Sequence, residues 1–154
     1  MIEQGLQQEI NMVMTEARNR RLEFVTVEHL LLALLNMDEV VTFLRGKRVN
    51  IDELRAELDQ YIDSHTPIIS EDAEIDIVPT VGFQRVLQRS VYQAQSAQKN
   101  SVNAMNVFVS IFSEKESHAV YMLKLNNISR LDVMEGISSH LADNPAEETK
   151  KVEG

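Results

Sequence analysis

The side chains whose chemistry has to be weighed first are four histidines, His29, His65, His118 and His140, and two glutamates beside the first long apolar run, Glu23 and Glu28. No two histidines stand four apart on one helix face and no HExxH occurs, so a zinc site would need ligands converging from separate elements. These residues are expected to pack rather than coordinate, His29 at a helix terminus, and no metal or cofactor is expected. Serine, histidine and aspartate are present, but not in a nucleophile-elbow pattern such as GxSxG. The chain has no cysteine, which removes thiolate nucleophiles, disulfides and cysteine-ligated metals. None of the five glycines opens a phosphate-binding GxxxxGK loop; Gly46 and Lys47 come nearest and run into Arg48. Catalysis, including ATP hydrolysis, is therefore not expected of this chain. Glu28 remains open to two roles, capping backbone donors at the start of a helix or facing the cation of a partner.

Placing Glu28 requires the element that carries it. Val25 to Asn36, VTVEHLLLALLN, has Thr26 as a capping residue followed by γ-branched or small apolar residues, and predicts a helix buried nearly all round. Val102 to Ser113, VNAMNVFVSIFS, echoes it with Asn103 as the cap. Before the first run, Ile2, Leu6, Ile10, Val13, Met14 and Ala17 make one helical stripe that ends in the basic cluster Arg18, Arg20 and Arg21. After it, Asn36 with Glu39 and Asn50 with Glu53 have capping-box spacing for a third and a fourth helix, with Gly46 between them. The stretch 65–79 breaks the pattern, because Pro67 and Pro79 bracket four acidic residues with no apolar stripe.

The second half repeats the first. Phe83 answers Leu6, Leu87 answers Ile10, Ala94 answers Ala17 and Val102 answers Val25, each 77 residues on; beyond Phe112 the offset becomes 79, pairing Leu123 with Leu44 and Val133 with Leu54. Ser113 with Glu116 and Ser129 with Asp132 have cap spacing for helices seven and eight. The expected fold is all-α: a single pseudo-two-fold domain over 1–142, with repeat one at 1–64, an irregular linker at 65–79, repeat two at 80–142, and a flexible tail at 143–154. Met12, Met14, Met122 and Met134 are expected to fill the core, whereas Met37 and Met105 sit where they could line an exposed groove.

With 15 basic against 24 acidic side chains the net charge is −9, which repels phosphate backbones and argues against nucleic acid as a partner. No apolar run approaches the length of a membrane span and no signal peptide follows Met1, so a cytoplasmic protein is expected.

The phrases EFVTVEHLLLALL, FQRVLQRSVYQAQ, VFVSIFSEKESHAVYML and ISRLDVMEGIS resemble the N-terminal domains of ClpA-type unfoldases, the double Clp repeat family, over nearly the whole chain. That resemblance implies an accessory, monomeric docking module that binds the adaptor ClpS, presents protein substrates, and reaches the ClpP peptidase through ATPase modules this sequence does not contain. A stand-alone Clp-like regulatory domain is the other reading. The resemblance places the adaptor surface at Glu23, Glu28, Thr80, Val81 and Arg85. It also implies that Met105, standing where some relatives keep a second acidic residue, rules against a symmetric second site for a guanidinium-type ligand.

Overall fold

A computed structural model describes residues 1–74 and 76–143, the side chains of 139–143 excepted; the call for a flexible tail falls, from residue 144 onward, outside the described residues, as does the side chain of His140. Among the described residues eight helices follow the anticipated order: α1 Gln4–Asn19, α2 Val27–Leu34, α3 Asp38–Gly46, α4 Ile51–His65, α5 Val81–Ser96, α6 Ala104–Ile111, α7 His118–Leu125 and α8 Arg130–Asp143. Two short strands, β1 Phe24–Val25 and β2 Val78–Pro79, pair in parallel. Among the described residues no helix is long and apolar enough to cross a membrane.

The centre is built from α2 and α6. In α2 only Leu32 escapes full burial, and in α6 only Asn106, because each helix is packed on every side. Helix α1 covers α2, and α5 covers α6, as the apolar stripes demand. The third helix of each repeat crosses over instead: α3 packs on α6, and α7 packs on α2. Phe43 of α3 meets Phe108 of α6 edge-to-face with ring centroids 6.0 Å apart. Neither repeat could bury its central helix without the other.

Duplication is written into the backbone as well as into the apolar pattern. Among the described residues four non-glycine residues have positive φ: Arg21 and Gln98, both at 58°, and Arg48 and Asn127, at 63° and 60°. They form two pairs at the sequence offsets of 77 and 79. In each case a left-handed residue closes a helix, and the following N–H bonds back to a carbonyl of the last turn: Leu22 to Ala17 at 3.0 Å, Lys99 to Ala94 at 2.8 Å, Val49 to Leu44 at 3.0 Å and Ile128 to Leu123 at 2.9 Å. The pairing of extended segments is reciprocal too. Val25 pairs with Pro79 in the residues before α5, and Val102 pairs with Ile2 in the residues before α1. Exchanging the two repeats converts one bridge into the other, which is the signature of an isologous contact.

Most capping residues perform as their spacing predicts. Thr26, Asn50, Thr80 and Asn103 accept from the third backbone N–H of their helices, and Ser129 and Asp132 exchange hydrogen bonds in a capping box. Two do not. Helix α3 starts after Met37, with no side-chain cap. The Asn36 amide is drawn away to tertiary partners, donating to Glu9 at 3.2 Å and accepting from Arg55 at 2.9 Å. Helix α7 is capped by Ser117, which accepts from Val120 N–H at 3.2 Å, and not by Ser113, whose backbone closes the turn after α6. Burial of methionine also departs from expectation: Met12 and Met134 are exposed, since each sits at the edge of its stripe, while Met105 is buried.

The linker is held down by the basic cluster. Arg21 donates from its guanidinium to the carbonyls of Ile69, Ser70 and Ala73, and its own carbonyl accepts from Ile69 N–H at 2.7 Å. Arg18 pairs with Asp76 at 2.9 Å, and that hydrogen bond holds the Asp76 carboxyl below its ordinary range.

Candidate functional site

The face around the first turn of α5 is assembled by backbone pairing. Val78 N–H donates to the Glu23 carbonyl at 3.0 Å and Thr80 N–H donates to the Val25 carbonyl at 2.9 Å, so residues 23–25 lie alongside 78–80. Thr80 then starts the helix, its hydroxyl accepting from Phe83 N–H at 3.2 Å. Val81 and Val78 are exposed, and Arg85 follows Val81 by one turn on the same side of α5. The Glu23 backbone is thus paired to the segment that leads into Thr80, Val81 and Arg85, and Val78 and Val81 are its exposed apolar residues.

Glu28 is placed elsewhere. It is 7% exposed, and its carboxylate accepts the N–H of Ala119 at 3.0 Å, in the first turn of α7 and 91 residues away in sequence. Of the two roles open to it, the structure gives capping, but the helix capped belongs to the other repeat. A carboxylate at that position satisfies an otherwise unpaired helix-terminal N–H and complements the positive end of the helix dipole. Its counterpart Met105 makes an apolar contact instead, near Phe43 and α8. A Cβ added at Gly136 would lie 2.7 Å from the Phe43 ring and 3.8 Å from the Met105 methyl.

Two residues of the α5 face escaped sequence reasoning. Glu114, whose side chain is 9% exposed, receives the Arg85 guanidinium in a two-pronged contact at 2.6 and 3.1 Å and Arg89 at 3.6 Å. The Arg85 hydrogen bond keeps the Glu114 carboxyl below its usual range and raises the arginine further. Gly82 allows this packing, since a Cβ there would come within 3.1 Å of both Glu114 Oε1 and Val27. A glycine in the first turn of a long helix was the available signal, because it is a poor helix former unless a close neighbour requires it.

His65 and His118 stack with tyrosines. Tyr61 stacks on His65 at 4.1 Å and on His118 at 3.8 Å, and His118 stacks on Tyr121 at 5.3 Å, so a ladder of rings joins α4 to α7. Burial first, and the charge of Glu28 second, raise the Tyr61 hydroxyl above its ordinary pKa. Among the described residues no three His, Asp or Glu side chains stand close enough together to hold a metal ion.

His29 completes a capping box with Thr26. Thr26 N–H donates to His29 Nδ1 at 3.0 Å, which fixes the ring proton on Nε2. Burial, assisted by the positive charge of Arg20, lowers the pKa from 6.5 to about 4. Because the unfolded chain then binds a proton that the folded one refuses, stability is full above pH 6.5 and is lost as pH falls toward 4. The loss attributable to His29 is about 2 kcal/mol by pH 5. Repeat two supplies the control substitution, since Asn106 fills the equivalent place and donates and accepts the same two bonds with Asn103. Urea unfolding at pH 7 and pH 5 is expected to show a smaller acid loss for His29→Asn than for the parent; equal losses would reject the assignment.

The sequence profile of the Clp repeat (R) N-terminal domain matches residues 1–126. A ClpA homolog protein of Fuscovulum blasticum is 34% identical over 151 residues, covering 97% of this chain, which spans about a fifth, 19%, of that relative's length. In three dimensions the chain is similar to the Hsp104 N-terminal domain from Candida albicans, at a TM-score of 0.73 and 12% identity over 88% of this chain and 87% of that one. It is also similar to the ClpV N-domain solved in complex with a VipB peptide, at a TM-score of 0.68 and 15% identity over 92% of this chain and 88% of that one. With the profile covering the first repeat and the second as far as α7, and with the helix order, crossed packing and reciprocal bridges described above, the chain belongs to the Clp repeat N-terminal domain family.

Proposed function

We propose that this domain is the adaptor- and substrate-docking N-terminal domain of a ClpA-type ATP-dependent unfoldase in the cytoplasm. In this reading it receives ClpS and holds protein substrates for delivery to a ClpP peptidase. The observation that carries the reading is the α5 face. Val78 and Val81 are exposed on either side of Thr80 at a backbone-paired helix start, with charged residues, Glu23 on the paired segment and Arg85 one turn on, nearby in the chain. An exposed apolar pair within a charged rim is the arrangement expected of a protein-docking surface. Membership of the family and the likeness to a ClpA homolog support the choice of partner. That a ClpV N-domain forms a complex with a VipB peptide supports the more general idea that this fold docks polypeptide.

The test is a titration of ClpS with labelled domain, comparing the parent with Glu23→Lys and Val81→Asp. Each variant is expected to weaken binding by about tenfold, roughly 1.4 kcal/mol. Circular dichroism establishes that the variants stay folded, which their partial or full exposure favours. Unchanged affinity in both would remove this face from the adaptor contact, and no binding by the parent would reject ClpS as the partner.

A further inference from the structure

A second concavity lies away from the α5 face. Helices α1, α2 and α4 enclose a cleft of about 230 Å³ whose walls include Val13, Arg20, His29, Leu32 and Arg55. His29 is 3% exposed, and its Nε2 is the buried side-chain nitrogen or oxygen that finds no hydrogen-bond partner among the described residues. With Nδ1 committed to accepting from Thr26, Nε2 carries the ring proton and offers a donor on the side of the ring turned from its own helix cap. A buried N–H without an acceptor is destabilising, so the site favours any acceptor that can reach it.

The charges around the cleft indicate which acceptor. Arg55 donates to two neutral oxygens, the Leu35 carbonyl at 3.2 Å and the Asn36 amide at 2.9 Å, and forms no ion pair among the described residues. Arg20 is held at the other wall by Asp63 and keeps a third of its side chain exposed. Glu16 and Asp59 also line the cleft, Glu16 from its exposed rim. Val13, Ala17 and Leu32 supply an apolar wall. A neutral imidazole donor in a cleft that two arginines also line suits an oxyanion, and the apolar wall suits a short aliphatic stem.

We propose that this cleft binds a carboxylate group carried by an amino acid or a peptide end, with His29 Nε2–H as its buried donor and Arg20 and Arg55 as its cationic walls. The cleft has room for about one or two residues. The site is separate from the α5 face, so it stands or falls without the adaptor reading.

The experiment follows the His29 Nε2–H resonance of ¹⁵N-labelled domain by imidazole-selected NMR while N-acetyl-alanine, N-acetyl-alaninamide or inorganic phosphate is added. Saturable shifts with N-acetyl-alanine at millimolar concentration are expected. Binding should be at least tenfold weaker for the amide and for phosphate, and at least tenfold weaker in Arg20→Gln, with circular dichroism confirming that this variant is folded. The same probe with alanine and with Gly-Ala distinguishes a free amino acid from a peptide end. Absence of saturation by N-acetyl-alanine, or equal binding of carboxylate and amide, would overturn the proposal. Equal binding of phosphate would overturn it as well, by reducing the cleft to a general anion site.

Discussion

Glu28→Ala is expected to lower the stability of the domain by about 2–4 kcal/mol, measured by urea unfolding at neutral pH. The carboxylate is buried and accepts the Ala119 N–H across the two repeats. Removing it forfeits a hydrogen bond to a charged group and leaves a backbone donor buried without an acceptor. Glu28→Gln retains an oxygen of similar shape and should lose less, about 1–2 kcal/mol. Glu28→Lys, the obvious charge reversal in a search for adaptor contacts, should do the most damage. It would bury an ammonium against the positive end of α7 beneath the Tyr61 and His118 rings. Any loss of ClpS binding in that variant would report unfolding, which is why the adaptor test relies on Glu23 and Val81. If Glu28→Ala and the parent unfold at the same urea concentration, the carboxylate does not hold the repeats together.

The second large effect is expected from Phe108→Ala, at about 3–5 kcal/mol. Phe108 is fully buried in α6, its ring 6.0 Å from Phe43 and 5.8 Å from Phe112. Those partners belong to different repeats, so the cavity would open at the crossing of α3 over α6 and not within one half. With total stabilities of about 5–15 kcal/mol typical of single domains, such a loss leaves little margin. A single cooperative transition, shifted to lower urea with an unchanged slope, is the expected record. Two resolved transitions would mean that the halves unfold separately, contrary to the interlocked packing.

How far the sequence foretold these features depends on how local their causes are. The helices and their duplication were legible because apolar periodicity and caps such as Thr26, Asn103 and Ser129 act within a turn of themselves. The start of α5 was legible in Pro79–Thr80, whereas the adaptor role proposed for that face comes from the family resemblance. The target of Glu28 was not, since a capping carboxylate looks the same in sequence whether its N–H lies three residues away or 91. Asn36 shows the converse: spacing promised a cap, and Glu9 and Arg55 outbid the local amide. Left-handed residues at Arg21, Arg48, Gln98 and Asn127 carried no glycine to betray them. Only the repeated offset, once φ is known, makes them intelligible. The two short strands were hidden for a similar reason, as Phe24–Val25 and Val78–Pro79 are too brief to display alternation and exist because each finds the other.

The reciprocal bridges also bear on the order in which the chain can mature. Ile2 has its partner at Val102, and Val25 has its partner at Pro79. During synthesis the opening segment must therefore wait for about a hundred further residues to emerge before it can close. Helices form locally and quickly, but ring closures of that span delay the final step and raise the contact order of an otherwise helical protein. A ribosome-bound chain halted after α4 would carry α2 with its α7-facing side bare, a greasy intermediate that invites chaperone attention until the twin segment arrives.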